Sequence, residues 1–303
     1  MDNTIKVAAI QISPVFLNAK KTWDKLKQFI MEAKEHGAEI ITWGETLIPG
    51  YPVWLSRTNG ASFDDEQQKK AYAKYYKESL EIDGYIIKDM IELSKKLNIM
   101  LIGGIAEKSS GSIYCTLITI ENGVLLGRHR KVKPTFEERL VWADGDSNGL
   151  LTYNTKIGKI GSLNCWENWI PYARASLHDQ DEFIHVAVWP GSIRLTNDIS
   201  KFMALEGRSW IISVSGFLDT TDFDELTIDE FPFKEKMKNE NRLLYDGGSV
   251  IINPKGEIVA GPLIGEEGIL YAELNAQIVI EERQNFDYSG HYSRKDIFKF
   301  QYT

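Results

Sequence analysis

The chain has 303 residues, 43% hydrophobic and 26% charged, so it holds the apolar mass for a sizeable core and is neither disordered nor membranous. A formal charge of -8 without a basic run argues against nucleic acid as a partner, and no apolar stretch is long enough to span a bilayer. The two cysteines, Cys115 and Cys165, make no disulfide framework and suit a reducing cytoplasm.

Taken in chain order, Ile5 to Ile12 is apolar and reads as a first strand, with neither the basic start nor the cleavable apolar run of a signal peptide. Asn18 caps a helix to His36, with Trp23, Leu26, Phe29, Ile30 and Ala33 on one face and Gly37 as its stop. Ile40 to Trp43 is the next strand and ends at Gly44-Glu45. Residues 56–80 lack a clean period and read as an insertion carrying a helix; 83–97 form a second amphipathic helix. Strands follow at Ile99 to Ile105, Tyr114 to Ile120 and Val124 to Arg128, the last two joined at Asn122-Gly123.

The second half repeats this style. A strand at 159–164 leads to a helix near 172–178, and Phe183 to Trp189 is a strand ending at Pro190-Gly191. A helix capped by Asp198 runs from about Ile199 to Gly207, then a strand from Trp210 to Ser215. The charge-dense residues 219–241 read as a surface loop. Gly248 to Asn253 and Glu257 to Ala260 pair as a hairpin, Gly268 to Leu274 is a last strand, and the tail from Ile278 is a short helix and an aromatic arm. Strands alternating with helices predict α/β layers. With no linker and no repeat, residues 1–303 are expected to form one domain.

His36, His129, His178, His185 and His291 fall in no metal-ligand spacing, so no metal is expected. No glycine-rich phosphate loop is present, so no nucleotide or other cofactor is expected either. Three reactive side chains follow predicted strands: Glu45, Lys131 and Cys165. The carboxyl ends of strands are where open α/β sheets bind ligands. A cysteine needs a base to become a thiolate, and Glu45 can serve. An ammonium lowers a thiol's pKa and holds a developing anion, and Lys131 can do both. Each residue alone has a plainer reading: a buried cysteine is usually a small hydrophobe, a glutamate there a helix cap, a lysine in His129-Arg-Lys-Val-Lys133 part of a solvated turn. Cys115, mid-strand, is read as core packing.

Six segments carry a resemblance: Trp43-Gly-Glu-Thr-Leu-Ile-Pro-Gly-Tyr-Pro52, Arg130-Lys-Val-Lys-Pro-Thr135 with Glu138-Arg139, Asn164-Cys-Trp-Glu-Asn168, Leu205-Glu-Gly-Arg208, Gly247-Gly-Ser249 and Gly290-His-Tyr-Ser-Arg294. With them the chain resembles the nitrilase superfamily of carbon–nitrogen hydrolases, and within it the true nitrilase branch. The resemblance implies a single-domain four-layer α-β-β-α sandwich whose subunits pair across helices as a homodimer or higher oligomer. It maps the catalytic set onto Glu45, Lys131 and Cys165, with Glu138 as a fourth member holding the lysine and the incoming water. It also implies hydrolysis of a small nitrile to the carboxylic acid and ammonia through a thioimidate and a thioester on Cys165. Many members have His where this chain has Asn168, a difference expected to bear on substrate preference. The chain ends soon after Gly290-His-Tyr, which is expected to disfavour extended helical filaments.

A small-molecule pocket is mostly apolar, and Tyr51, Trp54, Thr135, Trp142, Trp166, Trp189 and Ile193 are its candidates. An amidase or a cyanide-hydrolysing enzyme would use the same set. A binding or scaffold member that had lost catalysis should have lost one of the three reactive residues. A papain-like arrangement lacks a histidine with a motif to partner Cys165.

Overall fold

The computed structural model describes residues 4–240 and 243–299. From the N-terminus run β1 (Thr4–Gln11), α1 (Ala19–Glu35), β2 (Ile40–Ile48), α2 (Trp54–Arg57), α3 (Glu66–Glu78), α4 (Tyr85–Leu97), β3 (Met100–Ser109), β4 (Ser112–Glu121) and β5 (Val124–Arg130). Then come β6 (Tyr153–Thr155), β7 (Gly158–Asn164), α5 (Pro171–His178), β8 (Glu182–Trp189), α6 (Ile193–Gly207), β9 (Trp210–Ser215) and β10 (Phe217–Asp219). The chain continues through α7 (Lys234–Lys238), β11 (Leu243–Ile252), β12 (Ile258–Ile264), β13 (Gly268–Asn275) and α8 (Ala276–Arg283). The strands make two sheets, in the orders β13-β1-β2-β3-β4-β5 and β10-β11-β9-β8-β7-β6, with β12 on β11.

Alternation along each strand sorts side chains into layers. Val7 and Ala9 of β1 face the other sheet and join Ile40, Ile102, Val186, Val188, Val214 and Ile251 in the core between the sheets. Ala8 and Ile10 turn the other way, onto Trp23, Leu26 and Ile30 of α1 and Met90 of α4. On the far side, Ile199 and Met203 of α6 pack on Trp189 and Ile211, and Leu177 of α5 packs with Leu163. The layers are α, β, β, α in a single domain, as the resemblance implies. The parallel strands β7, β8 and β9 are covered on both faces, which is why they read as continuous apolar runs.

The Asn18 cap holds, its side chain accepting from the Lys21 N–H, and β4 and β5 pair around Asn122-Gly123. Two expectations need correction. First, α6 begins at Ile193, six residues before Ile199, so Asp198 lies inside it. The positive φ of Gly191 and Ser192, 136° and 110°, turns the chain there without an acidic cap. Second, within 219–240 the chain is no surface loop. It forms a 3-10 turn at Thr220–Phe223 and then α7. Phe223, Leu226, Phe231, Phe233 and Met237 are buried against Phe16, Trp54 and Tyr75. These apolar residues stand singly among acids and lysines, without a period that would reveal an inward face. Asn241 lies outside the described residues. No described helix is long and apolar enough to cross a membrane.

Candidate active site

Glu45 is carried by an irregularity inside β2. Pairing with β3 loses register between Trp43 and Ile48, and Thr46 takes a left-handed φ of 43°. Such bulges re-aim side chains. Gly104 of β3 makes room: a Cβ there would lie 2.3 Å from the Thr46 nitrogen and 2.7 Å from the Glu45 Cα. The Glu45 side chain is buried.

Lys131 follows β5, its N–H held by the Cys115 carbonyl at 2.8 Å. Its Nζ donates to Glu45 Oε1 at 3.0 Å and to Glu138 Oε2 at 2.7 Å. Glu138 sits in a 3-10 turn, Phe136–Leu140. Its Oε2 also takes the Thr135 N–H at 2.6 Å, and its Oε1 takes the Tyr51 hydroxyl at 2.9 Å. Lys133, equivalent to Lys131 by alternation, is instead half-exposed and pairs with Asp144 at 2.7 Å.

Cys165 leaves β7 with a left-handed φ of 46° and opens a 3-10 turn, Cys165–Trp169. Glu167 braces the turn. It accepts the Asn164 N–H at 3.0 Å, the Val132 N–H at 2.7 Å and a contact from His129 Nε2 at 2.9 Å. One buried carboxylate therefore ties the Cys165 turn to the Lys131 segment. Burial opposes its charge, but His129 and those N–H groups outweigh burial and hold it below the usual glutamate range. Asn168 supports the turn from beneath, donating to the Cys165 and Leu163 carbonyls at 2.9 and 3.2 Å and meeting His185 Nε2 at 2.7 Å. Its amide is thus engaged by the scaffold. Left-handed backbone recurs at Phe136, φ 42°. Such positions cost about 1–3 kcal/mol each and collect at functional sites.

The Cys165 sulfur and one oxygen each of Glu45 and Glu138 lie within 4.8 Å of one another. That spacing would suit a metal, but the Lys131 ammonium already bonds both carboxylates and supplies the positive charge. Burial pushes the Cys165 thiol well above its ordinary range, and the Glu45 charge adds to this; Lys131 and the Trp166 backbone N–H pull the other way. Burial likewise drives Glu45 up to about 7, against the pull of Lys131 and Cys115. Burial disfavours the ammonium of Lys131, yet the negative charges that Cys165 as thiolate, Glu45 and Glu138 can carry outweigh it and hold the group well above the lysine range. At rest the thiol is protonated and the lysine charged. Glu45 stands at its midpoint near neutrality, with Oε2 buried and without a partner.

The candidate pocket residues divide. Tyr51 contacts Glu138 and packs edge-on against Trp142 and Tyr245, with ring centroids 5.5 and 5.6 Å away. Trp142 also lies under the Lys131 ammonium, 5.7 Å from its ring centroid. Thr135 meets the site through its backbone. Trp189 is buried in one cluster with Cys165. Trp54 lies in the aromatic core with Tyr75 and Phe231. The Trp166 side chain is half-exposed beside Trp169, and Ile193 packs on Gly248 at the head of α6. Glu45, Tyr51, Pro190 and Tyr245 share a cavity of about 20 Å³, room for roughly one water. Tyr245 and Cys115 escape a reading of the sequence, since each meets the site across a long stretch of chain, as does the contact between Glu167 and Val132.

The carbon-nitrogen hydrolase family matches residues 6–284. Nitrilase 2 of Arabidopsis thaliana is 32% identical, over 97% of this chain and 87% of its own. The aliphatic nitrilase of Rhodococcus rhodochrous is 32% identical, over 99% of this chain and 83% of its own. A solved carbon-nitrogen hydrolase from Helicobacter pylori G27 superposes with a TM-score of 0.71 at 19% identity, covering 97% of both chains, and shows the same fold. Matched over nearly its whole length by family and relatives alike, the chain belongs to the carbon-nitrogen hydrolases, on their nitrilase branch.

Proposed function

We propose that this protein is a nitrilase that converts an organic nitrile to the carboxylic acid and ammonia, with Cys165 as nucleophile, Glu45 as base and acid, and Lys131 as electrostatic stabiliser. The observation that carries this reading is the division of labour on Glu45. Its Oε1 is tied by Lys131, Oε2 is buried and without a partner, and the carboxylate lies within 4.8 Å of the Cys165 sulfur. A thiol kept neutral by burial needs a base within reach, and a carboxylate titrating near 7 is well matched to proton transfer at neutral pH.

In the proposed sequence, Oε2 takes the thiol proton as sulfur bonds to the nitrile carbon. That proton passes to nitrogen and leaves a thioimidate. Glu45 then takes a proton from water as the water oxygen adds to the same carbon. Lys131 and the Trp166 N–H face the charge of the tetrahedral species. Protonation of nitrogen breaks the C–N bond, ammonia leaves and a thioester remains. A second water, activated in the same way, releases the acid and restores the thiol. Two waters are consumed per nitrile. Both oxygens of Glu138 are already engaged, so its part is to hold Lys131.

Ammonia release from aliphatic nitriles, aryl nitriles, arylacetonitriles, the matching amides and cyanide tests the reading. The expected result is acid and ammonia from at least one nitrile class at a higher kcat/KM than from its amide. Turnover of amides or cyanide without nitriles would replace nitrilase by one of those activities.

We also assign self-association to the face made by α5, α6 and the turn before them. Trp169, Tyr172, Phe202 and Leu205 are exposed there, and an apolar patch of this kind marks a protein contact. Arg174 joins the two helices through Glu206 and the Phe202 ring, so a two-fold pairing presents one rigid surface to its copy. Sedimentation should give a dimer or larger for the parent and a smaller species for Phe202→Glu with Leu205→Glu; an unchanged mass would move the interface elsewhere. Two buried free thiols support a cytoplasmic setting.

A further inference from the structure

Cys115 has no part in the chemistry just described, yet its thiol lies against the same carboxylate as Lys131. It is fully buried in β4, within the aromatic core beside Trp54, Tyr75 and Trp142. Its carbonyl accepts the Lys131 N–H at 2.8 Å. Its Sγ donates to Glu45 Oε1 at 3.4 Å. One residue therefore holds Lys131 by its backbone and Glu45 by its side chain. Burial, with the charge of Glu45 behind it, keeps this thiol protonated and well above its ordinary range. It can only donate.

The consequence falls on the two oxygens of Glu45. Oε1 takes the Lys131 ammonium and the Cys115 thiol, while Oε2, equally buried, takes nothing. We infer that Cys115 is a positioning residue: its thiol, with Lys131, pins Oε1, so that Oε2 is the oxygen presented to Cys165 and to water. The inference rests on the reading of Glu45 as the base. The groups facing Glu45 are Lys131 and Glu138 after β5, Cys115 on β4, Cys165 after β7, Tyr51 before α2 and Tyr75 on α3. Of these, Cys115 and Lys131 are the two bonded to its carboxylate.

The sign of the effect follows. A donor to a carboxylate favours the charged form, so losing the Cys115 thiol raises the Glu45 pKa. A base must be deprotonated in the free enzyme, so the acidic limb of kcat/KM moves to higher pH. A hydrogen bond to a charged group makes this about one pH unit, with turnover below the limb falling about tenfold.

The test compares Cys115→Ala, Cys115→Val and Cys115→Ser with the parent, reading kcat/KM for a nitrile against pH. The alkylation rate of Cys165 by iodoacetamide against pH is read beside it. In each variant Cys165 is the one remaining thiol. The inference expects the limb to move up in the Ala and Val variants and to return in Ser, which keeps a donor. A limb that stays in place in a folded Ala or Val variant, or a Ser variant that behaves like Ala, overturns it. The alkylation profile needs no nitrile. If the parent hydrolyses none, the proposed function fails while the alkylation arm still decides the role of Cys115.

Discussion

Cys165→Ala should lower nitrile turnover by on the order of 10⁴-fold or more, the scale on which covalent enzymes lose their nucleophile. In the proposed sequence the thiol makes the bond on which every later step depends, and among the described residues no second nucleophile stands in its place. Cys115 lies against Glu45 Oε1, with its thiol directed at that carboxylate. The substitution removes one sulfur from a turn held by backbone contacts to Glu167 and Asn168. The fold should survive, with the melting temperature kept within about 4 °C. Incubation with a reactive nitrile should yield an adduct mass on the parent at the peptide bearing Cys165 and none on the variant. Turnover at a tenth of the parent rate would remove Cys165 from the mechanism.

Lys131→Gln should cost on the order of 10²–10³ in kcat, as loss of an oxyanion donor does. It also leaves Glu45 and Glu138 facing each other in a buried site without the cation between them, a penalty of about 3–5 kcal/mol for breaking a buried pair. Reduced stability should therefore accompany the rate loss. Lys133→Gln should do little, since Lys133 is half-exposed and paired with Asp144. Glu138→Gln should follow Lys131→Gln in rate, because it loosens the ammonium. Glu137→Gln should not. Equal losses at Lys131 and Lys133 would mean that the geometry around Nζ is not what catalysis uses.

The sandwich was legible wherever period and punctuation agreed. The Asn18 cap, the Trp23–Ala33 face and the Asn122-Gly123 turn all predict elements found in place. Lys131 and Cys165 were legible as types at strand ends, and Glu45 and Glu138 through the motifs around them; Glu45 itself lies inside β2, which runs on to Ile48 past the end expected at Trp43. What stayed hidden depends on partners far along the chain. Cys115 meets Glu45 across 70 residues and Glu167 meets Val132 across 35; no local pattern marks either contact. The aromatic core under 219–240 was masked by its own charge. Trp54 and Trp166 show the converse: an aromatic residue beside or within a motif can sit in the core or reach solvent, and the local pattern does not say which.

The two sheets do not share the chemistry evenly. Glu45 and Lys131 hang from the first sheet, Cys165 from the second, and the brace at Glu167 crosses between them. The first sheet is completed only when β13, near the chain's end, returns to pair with β1 and places Leu274 in the core between the sheets. The carboxylate and the thiol are therefore neighbours through the packing of two sheets and not through any local segment of chain.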